Sequence, residues 1–123
     1  MNKKIAIIIN NADFIFDENV GSKYGGAAVV AKNVYQTFLN DFGFLVHVYA
    51  RSYMKKYAND SLFKISKPIN KLLIDIDSQN YDLVLTLSLD GVYRNQFLQV
   101  MSKFNSIVSA NFLIRPILKS IYK

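Results

Sequence analysis

Cysteine and tryptophan are absent from the 123 residues, and histidine occurs once, as His47. Without cysteine there is no disulfide, no thiolate nucleophile and no zinc–cysteine site. A lone histidine makes a zinc site built on imidazoles equally improbable, so no metal and no cofactor is expected. The lack of cysteine fits a cytoplasmic setting. Long apolar runs are missing too: none approaches the ~20 residues that a membrane-spanning helix needs. The start, "MNKKIAIIINNADF", has a basic tip and a short apolar core, as a secretory leader does. Asn10, Asn11 and Asp13 then stand where small residues would mark a cleavage site, so the run reads as a first strand. Acidic residues stop at Asp90, after which Arg94, Lys103, Arg115, Lys119 and Lys123 follow unopposed.

What is present is apolar and basic. Hydrophobic residues make up 51% of the chain and aromatic ones 14%, enough for one domain to build its own core. The formal charge is +6, unevenly placed. Residues 51 to 71 hold Arg51, Lys55, Lys56, Lys64, Lys67 and Lys71 against Asp60 alone. Such a surface attracts anions: phosphorylated substrates, acidic lipid headgroups or nucleic acid. The same lysines are also what an ordinary solvated surface carries.

The pattern along the chain alternates between strand and helix. "KIAIII", residues 4 to 9, is a continuous β-branched run that suits a strand covered on both faces. The polar stretch from Asn10 to Lys23 is long for a plain connection and reads as a working loop. A helix follows from about Gly26 to Asn40, with Val30, Val34 and Phe38 at i, i+4 and i+8 and Ala27 and Ala31 widening the stripe. "NDFG" stops it, with Gly43 free to adopt a left-handed cap. "FLVHVYA", 44 to 50, is a second strand, and "SYMKKYA" reads as a short helix or a loop. In "SKPINKLLIDIDSQ", Ser66 is a candidate cap, Pro68 sits in the first turn, and Ile69, Leu72, Leu73 and Ile76 keep helical spacing. "YDLVLTLSL" is a third strand, "VYRNQFLQVMSKF" a helix after Gly91, "NSIVSANF" a fourth strand and "RPILKSIYK" a final helix start. This order predicts an α/β fold: an open parallel sheet with helices on both faces and right-handed crossovers. No internal repeat, low-complexity segment or interdomain linker interrupts it.

Ligands of open α/β sheets bind beyond the carboxyl ends of the strands. Those ends are Asn10 to Gly26, Ala50 to Tyr53, Ser88 to Gly91 and Ala110 to Arg115. The first is the richest. Gly25 and Gly26 allow backbone N–H groups to approach a ligand closely, the following helix start favours negative charge, and Lys23 adds a full positive charge. The plain alternative is that the glycines only let the chain turn. Asp13, Asp17 and Glu18 cluster in this loop, as metal or hydroxyl ligands or simply as solvated loop residues. Asp90, ending the third strand, is placed to meet a ligand hydroxyl or to cap the next helix. His47 falls in a strand expected to be buried, where a satisfied core or sheet-end imidazole is the simpler reading. Neither G-x-G-x-x-G nor G-x-x-x-x-G-K-[ST] nor G-x-S-x-G occurs, so standard dinucleotide sites, P-loop nucleotidases and hydrolase elbows are unsupported.

"KIAIIINN…GSKYGGAAVVAKNVYQTFLNDFGFLVHVYA" resembles the opening of the retaining, GT-B-fold group 1 glycosyltransferases. That family begins with a strand, a loop, a Gly-Gly pair, a helix and a strand of the form G-x-x-V-x-V, matched here by Gly43, Val46 and Val48. "YDLVLTLSLD" resembles its Y-D-V-V-H-x-H-S strand, and "RPILKSIYK" the basic helix near the end of its N-terminal domain. The motifs are loose, and it is their order and spacing over nearly the whole chain that carries the likeness. The resemblance implies a Rossmann-like, acceptor-side N-terminal domain over residues 1 to 123. In that family the Gly-Gly loop faces the interdomain cleft and the donor diphosphate. The carried-over substrate-binding positions are Gly25 and Gly26, with Tyr24 beside them. The family's second domain, with its Glu-x7-Glu motif, holds most of the nucleotide-sugar, and none of it lies within these residues. Leu85 and Leu87 stand where the family often has histidines, and Asn111 stands near another such place, so no catalytic residue is carried over.

Two functions follow as expectations. One is transfer of a sugar from a nucleotide-sugar donor to a glycan or lipid-phosphate acceptor, in polysaccharide or glycoconjugate synthesis, by an enzyme of which this domain is one half. Peripheral contact of its basic helices with the inner membrane face, and self-association through the unpartnered cleft wall, would accompany it. The other is a non-catalytic binding module, or half of a split enzyme, that recognises a phosphorylated ligand or a partner protein. No recognised nucleic-acid module is present, so a nucleic-acid partner is not expected.

Overall fold

The structure, a computed structural model, describes residues 3–19, 25–66, 68–87, 95–96 and 109–112. Within them the elements run β1 (Lys4–Asn11), α1 (Asp13–Phe16), α2 (Gly26–Gln36), β2 (Leu45–Ser52), β3 (Leu62–Lys64), α3 (Ile69–Ser78), β4 (Leu83–Leu87) and β5 (Ser109–Phe112). The five strands form one sheet in the order β3-β2-β1-β4-β5, and every pairing is parallel. This is a Rossmann-like α/β fold. The expected strands at 4–9, 44–50, 81–89 and 105–112 each coincide with a strand, β1, β2, β4 and β5, over the described residues. Of the expected helix at 92–104 only residues 95 and 96 are described, and both are helical; the expected helix after Arg115 lies outside the described residues.

β1 is central, and Ile5 to Ile9 are all buried because each face of the sheet carries its own layer. Alternate side chains sort into two cores. On one face Ile5, Ile7, Ile9, Val46, Val48, Ala50, Leu85 and Leu87 pack with Ile15 of α1 and Ala31 of α2. On the other, Ala6, Ile8, Tyr49 and Val84 pack with Leu72, Leu73 and Ile76 of α3 and with Tyr81. Helices therefore cover both faces, which is why the strands read as continuous rather than alternating apolar runs.

Several local expectations are corrected. The buried stripe of α2 is not centred on Val30, which is 38% exposed. Ala28 and Ala31 are its buried residues, Ala31 in the core on that face of the sheet, with Val34, Tyr35 and Phe38 packed against the same core and the helix lying against α1. The helix also does not run regularly to Asn40. It widens into a π-turn at Thr37–Asp41, closed by a hydrogen bond from Phe42 N to Thr37 O at 3.1 Å. Gly43, at φ 66°, supplies the left-handed stop that the sequence predicts. Ser66 does not cap α3: Pro68 occupies the cap position, extended at ψ 151°, without a side-chain hydrogen bond to the helix. Residues 51 to 65, ambiguous in sequence, resolve into the end of β2, a 3₁₀ turn at Lys55–Tyr57 and the short strand β3. That crossover is tight for two parallel strands. It is held by Val48 N to Ser61 O at 2.8 Å and Ile65 N to Ala50 O at 2.8 Å.

Candidate functional site

The sheet order fixes where a ligand site belongs. The chain leaves β1 towards β2 on one side and leaves β4 towards β5 on the other. The crevice between β1 and β4, at their carboxyl ends, is therefore the topological switch point. The loop after β1 opens onto it, and the loop leads into α2.

Gly25 and Gly26 begin that helix, and they are not equivalent. Gly25 is the cap residue at φ 90°, ψ −170°, a region that only glycine adopts without strain. Its presence is explained by backbone geometry alone. Gly26 has no such conformation, and a Cβ built on it would meet no atom within 4 Å among the described residues. Nothing in the fold described here requires glycine at 26. The helix start carries no side-chain cap and no acidic residue in its first turn, and its first internal bond runs from Val29 N to Gly25 O at 3.3 Å. The N–H groups of residues 26 to 28 have no partner among the described residues, and they lie at the positive end of the helix dipole.

The acidic cluster of the first loop is consumed by structure. Asp13 and Asp17 are buried, at 6% and 5% exposure. Asp13 N donates to Asn11 Oδ1 at 2.9 Å, and Asp13 Oδ1 accepts from Met54 N at 2.8 Å, tying the loop after β1 to the loop after β2. Ala12 N to Ser52 O, 3.0 Å, extends the same seam. Asp17 Oδ1 accepts from Asn19 N at 2.8 Å, and its carbonyl accepts from Lys32 Nζ of α2 at 2.8 Å. No cluster of three metal-ligating side chains exists among the described residues. The expected working loop is therefore half folded: its first part is α1, packed through Ile15, and the seam holds it at the strand ends. The signal for this was present as the Asn11-x-Asp13 spacing, a pattern that favours a side-chain-to-backbone turn.

Around the seam the rim is basic. Arg51 Nη1 donates to Asn10 Oδ1 at 3.3 Å, and Lys55, Lys56 and Lys64 are exposed nearby in chain order after β2 and in β3. Lys56 Nζ lies 5.1 Å from the Tyr57 ring centroid and Lys64 Nζ 5.8 Å from that of Tyr53, so their stems rest on aromatic faces. Of the remaining expected site residues, Asn111 lies in β5 opposite Thr86 of β4, near the carboxyl edge but two strands from β1. Lys23, Tyr24 and Asp90 lie outside the described residues. A separate open cavity of about 400 Å³, lined by Ser66, Pro68, Lys71, Ile74 and Asp75, lies at α3, on the sheet face opposite α2.

His47 is not part of this rim. It pairs with Ala6 near the amino ends of the strands. Its Nδ1 lies 2.6 Å from the Tyr81 hydroxyl, which lies 2.7 Å from the Tyr49 hydroxyl. Burial, and then the nearby Lys4 ammonium, hold its pKa below the ordinary value of 6.5. It is the satisfied imidazole that the sequence suggested, and its partners were hidden because Tyr81 is 34 residues away. No helix among the described residues is long and apolar enough to cross a membrane. In comparison with known proteins, no family model matches the chain, and no curated protein and no solved structure is significantly similar to it.

Proposed function

We propose that the domain is the acceptor-side half of a glycosyltransferase that uses a nucleotide-sugar donor, with its glycine pair facing the donor diphosphate. The observation that carries the reading is the uncapped start of α2 at the topological switch point, behind a glycine that the backbone does not need. Oriented N–H groups and a helix dipole favour a phosphate there, and Gly26 leaves space for a phosphate oxygen to approach the chain. The family likeness of the sequence supplies the reaction: transfer of a sugar to a hydroxyl of a glycan or lipid-phosphate acceptor. In that reading the rim of Arg51, Lys55, Lys56 and Lys64 attracts the acceptor's phosphate or an acidic membrane surface.

The same rim favours a second reading, a binding module that holds a phosphorylated ligand without turnover. Titration of the ¹⁵N-labelled chain with uridine diphosphate, pyrophosphate and a sugar phosphate tests both. Weak binding with shifts centred on the amides of residues 26 to 28 is expected, and Gly26→Val should remove those shifts while leaving the remaining spectrum intact. Shifts confined to the lysine rim would sink the diphosphate site. Submicromolar binding of a simple sugar phosphate by this chain alone would favour the binding module.

A further inference from the structure

The polar cluster on the α3 face has no role in the proposed site, yet its geometry is specific. Tyr81 follows the turn that ends α3, where Asn80 is left-handed at φ 56°. Its side chain is 7% exposed and packs with Ala6, Tyr49, Leu73 and Ile76. Ala6, fully buried between His47 and Val84 in the sheet register, is small enough for two rings to lie over it. Tyr81 meets the His47 ring edge-on at 5.6 Å and the Tyr49 ring at 6.2 Å. Lys4 Nζ lies 4.9 Å from the Tyr81 centroid and donates to Gln79 O at 2.9 Å, so β1 also grips the end of α3.

We propose that His47, Tyr81 and Tyr49 form an acid-released latch that holds the C-terminal end of α3 against the sheet. With neutral His47 protonated on Nε2, Nδ1 accepts the Tyr81 O–H and the Tyr81 oxygen accepts the Tyr49 O–H. Both buried hydroxyls are then satisfied. A proton added at Nδ1 turns that atom into a donor towards the Tyr81 oxygen, so three donor protons then compete for two contacts. One phenol O–H, of Tyr81 or of Tyr49, is then left without an acceptor within the cluster. A buried donor without an acceptor is unfavourable, so the protonated state weakens the latch.

The charges around the imidazole act in the same direction. On β1, Lys4 repels an imidazolium, and its backbone N–H already engages Asp82 Oδ2 at 2.8 Å. From β3 the Phe63 ring packs edge-on against His47 at 5.3 Å and brings no charge. Burial raises the Tyr49 pKa, the Tyr81 hydrogen bond lowers it, and Asp75 of α3 raises it again, so that the net direction keeps the phenol protonated. Burial and Tyr49 push the Tyr81 phenol well up as well. Because His47 binds its proton less readily folded than unfolded, the folded chain takes up fewer protons as pH falls. Stability is therefore complete above about pH 6.5 and is lost as pH descends towards the lower folded value.

One histidine in the chain makes the test unambiguous. Imidazole ¹⁵N shifts of the full chain across pH 5 to 8 should show the Nε2–H tautomer when neutral. The midpoint should lie below about 6.5. Exchange protection of the Leu72, Leu73 and Ile76 amides, corrected for intrinsic rates, should fall through that midpoint. Tyr49→Phe/Tyr81→Phe keeps the rings and removes both hydroxyls, so it should raise the midpoint and flatten the loss of protection. A neutral Nδ1–H tautomer, or protection that does not change with pH in the unaltered chain, overturns the latch whether or not the double variant folds. An unchanged midpoint in a folded double variant overturns it too.

Discussion

Asp13 shows why an acidic residue in a loop is not by itself a ligand. Its carboxylate is buried and accepts the N–H of Met54, 41 residues away, so it joins two strand-end loops that no local sequence pattern connects. Asp13→Ala leaves that N–H without its acceptor. The expected loss is about 1–3 kcal/mol in urea unfolding, with Asp13→Asn, which keeps an acceptor oxygen, recovering part of it. Equal losses for the two variants would count against the seam. Gly25 and Gly26 divide along a different line. Adjacent in sequence and alike in composition, they separate only through the torsion angles, which require glycine at 25 and leave 26 for a ligand or for nothing.

Among the elements, α2 is the one that the sequence described least well, although it was the easiest to find. Periodicity located the helix and placed Ala31, Val34 and Phe38 on the face that packs into the core, but counted Val30, which is exposed, as part of it. Ala28 and Ala31 are buried where Val30 is not, and Ala31 sits in a close-packed core that leaves no room for a larger side chain. Ala31→Leu should therefore destabilise the domain by about 1–3 kcal/mol through overpacking, while Val30→Leu should leave the thermal midpoint nearly unchanged. α3 was read correctly through Leu72, Leu73 and Ile76, because its single apolar face leaves no choice. β3 escaped notice because three residues are too few for a period to show.

The molecule as a whole presents its basic rim at one end of the sheet. Arg51, Lys55, Lys56 and Lys64 cluster after β2 and in β3, with Met54 exposed among them at 48%. If the rim serves an acidic bilayer, the chain should sediment with vesicles containing phosphatidylglycerol and not with neutral ones. Screening lengths fall from about 8 Å at physiological salt to about 3 Å at 1 M, so high salt should release it. Lys55→Glu/Lys56→Glu should weaken binding without changing the fold. Vesicle binding that is insensitive to salt, or absent altogether, would remove the membrane from the proposal.

Strand and helix alternation, the parallel class of the sheet and the glycine turn ahead of α2 were all legible from residue order. Each follows from local periodicity or from the conformational freedom of single residues, and local forces suffice to encode them. The two cores, the strand order that makes the first loop a switch point, and the partners of Asp13 and His47 were not. These depend on segments tens of residues apart meeting across the sheet, and a sequence window holds no information about such a meeting. Burial then decides chemistry: it made Asp13, one of a group of loop carboxylates with several open readings, part of a structural seam, and made a lone histidine one end of a hydrogen-bonded chain.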